Sequence, residues 1–185
     1  MTQTPNKRDQ ILDVAEGMMR TAGYNGFSTR EVANAVSIKA ASVHYYFPTK
    51  SDIGAAVTER YTQRFIEALG EPDAFKDPAA ALSFYIDAFR TALVRDGKLC
   101  LCAVLGAEID DLPDEVGDRT RTFFERNLEW LTRALTADRE EPSSAQSRAT
   151  HVLASVEGAM ILSKTLADDA VFERVAKHLP AAAIE

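Results

Sequence analysis

Residues 28–53 read STREVANAVSIKAASVHYYFPTKSDI, and the fold of the chain turns on them. Ser28 stands three residues before Glu31, the spacing of a capping box, which predicts a short helix over Thr29–Ala35. Three residues later a second short helix is expected over 39–46, ending before Pro48. Two short helices this close together are the geometry of a helix-turn-helix, whose second helix can enter a DNA major groove. At about 100° per residue, a core-facing Val43 places Phe47 about 40° away on the buried side. Ala41 and Tyr45 then lie on the opposite face, with His44 at its edge. Small side chains at Ala40 and Ala41 let the backbone approach base edges, leaving Lys39, Ser42, His44 and Tyr45 to reach bases or phosphates.

Helical spacing continues on both sides of this segment. Ile11, Leu12, Ala15, Met18, Met19 and Ala22 recur at i, i+3, i+4 in a first helix over Lys7–Ala22 that Gly23 stops. A long fourth helix is capped by Thr49 and reaches Leu69. Further helices are expected over 78–95, 98–110, 113–137 and 144–166, and a last one from Asp168-Asp169 to Leu179, before Pro180. No alternating run bounded by hairpin turns competes. The expected fold is all-α, about nine helices: a three-helix head over residues 1–50 and a helical body over 51–185.

Composition narrows the function classes. Apolar residues make up 46% of 185, and no run approaches the roughly 18 that a membrane span needs. The opening MTQTPNKRDQ has no apolar signal core, so a cytoplasmic location without membrane contact is expected. Cys100 and Cys102 are too few and too close for a disulfide framework. The net charge of −7 argues against indiscriminate coating of nucleic acid. Residues 1–60 nevertheless carry seven basic and six acidic side chains, so a near-neutral head is attached to an acidic body. That asymmetry suits one surface docking on DNA while the rest is repelled.

Enzymatic motifs do not compete. The chain has no Gly-rich phosphate loop after a strand, no G-x-S-x-G and no HExxH. His44, His151 and His178 lie far apart, without carboxylate or cysteine neighbours at ligand spacing, so neither a metal nor a cofactor is expected. Glu108, Asp110 and Asp111 read as solvated charges at a helix end.

The first helix, S-T-R-E-V-A, and S-V-H-Y-Y-F-P-T-K-S-D-I together closely resemble the DNA-binding head of TetR-type transcriptional regulators, over about residues 7–60. The resemblance implies that Thr29 and Lys50, each at a helix start, hold phosphates, with Arg30 beside them. Lys39, Ala40, Ala41, Ser42 and Tyr45 would sit in the groove, and Tyr46 completes the aromatic pair. His44 occupies a slot where the family usually has a phosphate-binding Tyr. A neutral His can still donate to a phosphate, with more sensitivity to pH. Ser37 and Ala41 replace glycines common in the family.

The body resembles the family in its helical layout. An inducer pocket would draw on Tyr61, Phe65, Phe89, Phe123, Phe124, Trp130, His151 and Met160, each of which also reads as packing. In KLCLCAVLGAE, residues 98–108, the two cysteines point about 200° apart on a helix and do not share a ligand. They read first as small core residues; a Cys100 that senses electrophiles or oxidants, with Lys98 nearby, is the second reading. A stripe of Val152, Val156, Ala159, Met160, Ser163 and Leu166, with Val171, Phe172, Val175 and Leu179, would form a dimer interface.

The expected function is thus a homodimeric repressor on a palindromic double-stranded operator, released by a small molecule or an electrophile or redox signal. Two other classes stay open: a helical small-molecule-binding protein or enzyme that has lost DNA recognition, and an architectural DNA-binding protein without an inducer.

Overall fold

A computed structural model describes residues 6–136 and 142–184. Among them every regular element is helical, in nine α-helices. They are α1 (Lys7–Ala22), α2 (Thr29–Ala35), α3 (Ala40–Tyr46), α4 (Lys50–Leu69), α5 (Pro78–Asp96), α6 (Leu101–Ala107), α7 (Asp114–Leu135), α8 (Pro142–Leu166) and α9 (Ala170–Ile184). Single 3₁₀ turns lie at Pro72–Ala74 and Ile109–Asp111. No described helix is long and apolar enough to cross a membrane.

The chain divides into two compact units that interleave in sequence. The first combines Met1–Gln63 with Leu101–Phe123; the second combines Arg64–Cys100 with Phe124–Glu185. The first unit thus holds α1 to α3 together with most of α4, all of α6 and the start of α7.

In the first unit, Ile11, Leu12, Ala15 and Met19 of α1 are fully buried with Val32, Ala33, Val43, Ile53 and Val57. Met18 is only half-buried and Ala22 exposed, so the buried stripe of α1 is narrower than its apolar pattern. Local capping sets the boundaries. The Asn6 side chain accepts from the Asp9 N–H at 2.9 Å, and Gly23, at φ 75°, ends α1 as its N–H donates to the Met19 carbonyl. Ser28 Oγ accepts from the Glu31 N–H at 3.2 Å and donates to the Glu31 carboxylate at 2.7 Å. Thr49 and Asp52 form a second, fully reciprocal box: the Thr49 N–H donates to Asp52 Oδ2 at 2.8 Å and the Asp52 N–H to Thr49 Oγ1 at 3.1 Å.

In the second unit α8 packs mainly on α9, and α5 touches both. Leu82, Ile86 and Phe89 of α5, Leu131 of α7, Val152, Val156 and Met160 of α8, and Phe172 of α9 form its core. Two expected helices differ. α6 is shorter than 98–110, because Gly97, in the left-handed region at φ 60°, ends α5 and residues 97–100 turn the chain before a new helix starts. α9 runs through Pro180 instead of stopping before it. A proline deletes one backbone hydrogen bond, and near a helix end flanked by alanines that loss is tolerated. The expected end of α7 at residue 137 lies outside the described residues.

Candidate nucleic-acid interface

α3 is held by two apolar pins. Val43 is fully buried and Phe47 nearly so, its N–H donating to the Val43 carbonyl at 2.9 Å. With those side chains committed to the core, the opposite face must point outward. Tyr45 is 84% exposed, and Arg30, Lys39, Ala40, Ala41, Ser42, His44 and Tyr46 are exposed as well. A tyrosine ring this open offers both an apolar face and a hydroxyl to a partner. It contacts Tyr46 edge-on, with centroids 5.3 Å apart.

The turn between α2 and α3 carries strain. Ser37 adopts φ 54°, the left-handed region that costs an L-residue about 1–2 kcal/mol. Two backbone bonds hold it there: the Ser37 N–H donates to the Asn34 carbonyl and the Ile38 N–H to the Ala33 carbonyl. A serine thus performs a turn that glycine performs without strain.

His44 Nδ1 lies 3.1 Å from the Pro48 carbonyl oxygen. A carbonyl only accepts, so Nδ1 carries the proton, and in the neutral ring Nε2 is then a lone pair. With Nδ1 engaged in this way, the neutral ring presents Nε2 as an acceptor.

Thr29 and Lys50 are half-buried. The Lys50 ammonium sits 4.4 Å from the ring centroid of Tyr24 and 4.8 Å from that of Phe27, a cation–π cage. Burial lowers its pKa from the usual lysine value, while Glu108 and Glu31 pull it back up. The lysine is thus pre-positioned at the start of α4 by aromatic faces rather than by an ion pair.

Glu108 was not legible as a functional residue. Instead of being a solvated charge after α6, it accepts from the Tyr24 backbone N–H at 2.8 Å and covers Gly23. A Cβ at Gly23 would come 1.8 Å from the Glu108 carboxylate, so a side chain there would displace Glu108, and the positive φ independently favours glycine. α4 is tied to α1 as well: Arg60 pairs with Asp13 at 2.7 Å and Glu16 at 3.5 Å. Among the described residues no group of three His, Cys, Asp or Glu side chains is set to hold a metal ion.

The expected pocket residues divide between the units. Tyr61 packs on Phe123 in the first, with centroids 5.7 Å apart. In the second, Phe65, Tyr85, Phe89 and Trp130 form a ring cluster: Tyr85 stacks on Trp130 at 5.5 Å, and Phe65 meets Phe89 edge-on at 5.0 Å. Tyr85, which the sequence did not single out, is its hub. Its hydroxyl donates to Asn127 Oδ1 at 2.7 Å, and Trp130 Nε1 donates to the Gly70 carbonyl at 2.7 Å. Phe124 is half-buried, Cys100, Cys102 and Met160 are buried, and His151 is exposed and joins no buried set.

The stripe expected to meet a second copy is consumed within the chain. Val152, Val156, Ala159, Met160, Ser163, Val171, Phe172 and Leu179 are buried and Val175 is half-buried. A core stripe and an interface stripe have the same periodicity, which is why the sequence did not separate them. The apolar side chains that α8 leaves open are Ile161, Leu162 at 51% and Leu166 at 62% exposure. The same helix carries Gly158, whose missing Cβ would meet nothing.

Two family models match this architecture: the tetR family of bacterial regulatory proteins over residues 11–57, and the C-terminal domain of LmrA/YxaF-like transcriptional regulators over residues 78–178. An HTH-type transcriptional regulator in the dhlA 5' region of Xanthobacter autotrophicus is 34% identical over 65 residues, 35% of this chain; the match spans about a third, 32%, of that relative. Among solved structures, a TetR transcriptional regulator from Legionella pneumophila superposes with a TM-score of 0.92 at 29% identity, covering 98% of this chain and 99% of that one. A TetR-family regulator from Agrobacterium tumefaciens gives 0.85 at 29% identity, covering 95% and 96%. With a helix-turn-helix whose second helix is pinned by Val43 and Phe47, and both family models matched in order, the chain belongs to the TetR family of DNA-binding transcriptional regulators, a family of regulators and not of enzymes.

Proposed function

We propose that the protein is a homodimeric repressor that reads a palindromic operator through α3 and is released by a small molecule bound in the second unit. The observation that carries the reading is the outward face of α3, with Tyr45 open to solvent while Val43 and Phe47 anchor the helix. Lys39, Ser42 and Tyr45 supply base readout, Ala40 and Ala41 allow close approach, and Thr29, His44 and Lys50 hold phosphates, with Arg30 and Tyr46 at the rim. A seven-residue recognition helix covers few base pairs, so two heads on a palindrome supply the missing affinity and specificity. Ile161, Leu162 and Leu166, beside Gly158, offer the second copy an apolar face with room for close helix packing.

A small molecule is favoured over direct thiol oxidation as the signal. Cys100 is buried in the neighbourhood of the Glu157 carboxylate, and reactive cysteines sit in accessible, electropositive surroundings instead. Release follows if the ligand binds the DNA-incompetent state more tightly, with α4, which starts at Lys50, as the moving element.

Fluorescence anisotropy with a palindromic duplex from the region upstream of the protein's own gene tests the reading. Binding should be salt-sensitive; Lys50→Ala should reduce the salt slope by about 1, and Tyr45→Ala should weaken discrimination against mismatched duplexes by about 1–3 kcal/mol. Absence of salt-sensitive binding, or unchanged binding in both variants, would sink it.

A further inference from the structure

The inward register of α8 is apolar at Ala149, Val152, Val156, Ala159 and Met160, and Glu157 interrupts it. Glu157 is 8% exposed, and both of its carboxylate oxygens are buried without a hydrogen-bond partner of ordinary geometry. Among the described residues no cationic side chain offsets its charge; burial pushes its pKa up to about 7, and a hydrogen bond from the Cys100 thiol, a weak donor, pulls it down. Tyr85 lies within its field: the phenol is pushed well above its usual value by burial first, then by Glu157 and Cys100. The Tyr85 hydroxyl is already committed to Asn127, so it is not the donor that Glu157 lacks.

A buried carboxyl with no partner stronger than a thiol is costly, and an apolar residue of similar volume would pack the same place more favourably. The acid is therefore unexplained by packing. What surrounds it narrows what would satisfy it. Tyr85, whose phenol feels the Glu157 charge, packs with Phe65, Phe89 and Trp130, whose ring faces attract cations and whose edges accept an apolar body.

We propose that Glu157, beside the Phe65–Tyr85–Phe89–Trp130 ring cluster, is the charge-recognising group of the effector site, and that the effector is a small organic cation. It carries N–H donors of the amine, amidine or guanidine type on an aromatic or aliphatic body. The inference rests on the regulator reading above and specifies its ligand class. The cation supplies an opposite charge and charged N–H donors, whereas a neutral isostere such as an alcohol supplies a donor without the charge.

The test uses the full chain, with 4-phenylbutylamine and benzamidine as cationic probes and 4-phenyl-1-butanol as the neutral control, in thermal-shift and calorimetric titrations. Both cations are expected to bind the wild type and raise its Tm, with the alcohol weaker. Glu157→Gln, close to isosteric and relieved of a buried charge, should fold and lose amine affinity by about thirtyfold or more while its affinity for the alcohol stays unchanged. Glu157→Asp, which keeps the charge, should retain part of the amine binding. Equal binding of amine and alcohol, unchanged amine binding in Glu157→Gln, or no binding of either cation overturns the proposal. Anisotropy on the operator duplex without any probe separates this outcome from the regulator reading. If wild type and Glu157→Gln bind the duplex alike, that reading stands whatever the amines do.

Discussion

The Glu108 carboxylate accepts a hydrogen bond from the backbone N–H of Tyr24, 84 residues earlier, and so ties the residues after α6 to the turn that ends α1. Tyr24 is buried, so without Glu108 its N–H would be left unsatisfied at a cost of about 1–3 kcal/mol. Glu108→Ala should lower unfolding stability in urea by that amount. Glu108→Gln, which keeps an acceptor, should restore most of it. Because Tyr24 also forms one face of the Lys50 cage, operator affinity should fall in Glu108→Ala beyond the loss expected from the unfolded fraction.

Ser37 offers a change of opposite sign. Its φ of 54° strains a serine but not a glycine, so Ser37→Gly should raise stability by up to about 1 kcal/mol, offset in part by glycine's greater freedom in the unfolded chain. A fall of Tm in this variant would show that the serine side chain contributes more than its backbone costs.

His44 is exposed on α3, with Nδ1 3.1 Å from the Pro48 carbonyl oxygen. If it holds a phosphate, His44→Ala should weaken operator affinity by about 1–3 kcal/mol. Anisotropy titrations at constant pH and ionic strength check it. Unchanged affinity would remove His44 from the interface.

Leu162 is half open on α8 with no counterpart in its own chain that covers it. If this face meets a second copy, Leu162→Glu should shift the protein to monomer in sedimentation velocity, and should weaken binding to the full palindrome far more than to a half-site. A dimer that survives the substitution places the interface elsewhere.

Glu157 predicts a stability profile. Its pKa, raised from 4.5 to about 7, means that the folded chain holds a proton there over a window in which the unfolded chain has lost it. The associated stability is complete below about pH 4.5, declines as pH rises to about 7, and is flat above, where the total loss reaches about 3 kcal/mol. Glu157→Gln should abolish this decline and be the more stable protein at pH 8. Urea denaturation across the range measures it, with the nearby Tyr85 and Cys100 left intact in both proteins.

What the chain order alone carried is local. Ser28 before Glu31, Thr49 after Pro48 and Gly23 after Ala22 mark helix ends because a cap is decided by residues three or four apart. The outward face of α3 followed from helical geometry once Val43 was taken as buried. Where the physics is long-range, the sequence was silent or misleading. Glu108 reads as one acid among three, because its partner, the Tyr24 N–H, carries no side-chain signature. Glu157 lies among the apolar positions of α8 and the sequence reading did not single it out; only the fold buries it.

The sequence by itself determined most of the helices, several of their caps and the outward face of α3, since each depends on neighbours within one or two turns. Tertiary structure alone decided that the Val152–Val156–Met160 stripe is core, leaving Ile161, Leu162 and Leu166 exposed. It also decided that Lys50 rests between Tyr24 and Phe27, and that one carboxylate on α8 is buried with no partner stronger than a thiol. Those outcomes depend on which surfaces meet, and periodicity reports that a face is apolar without reporting what covers it.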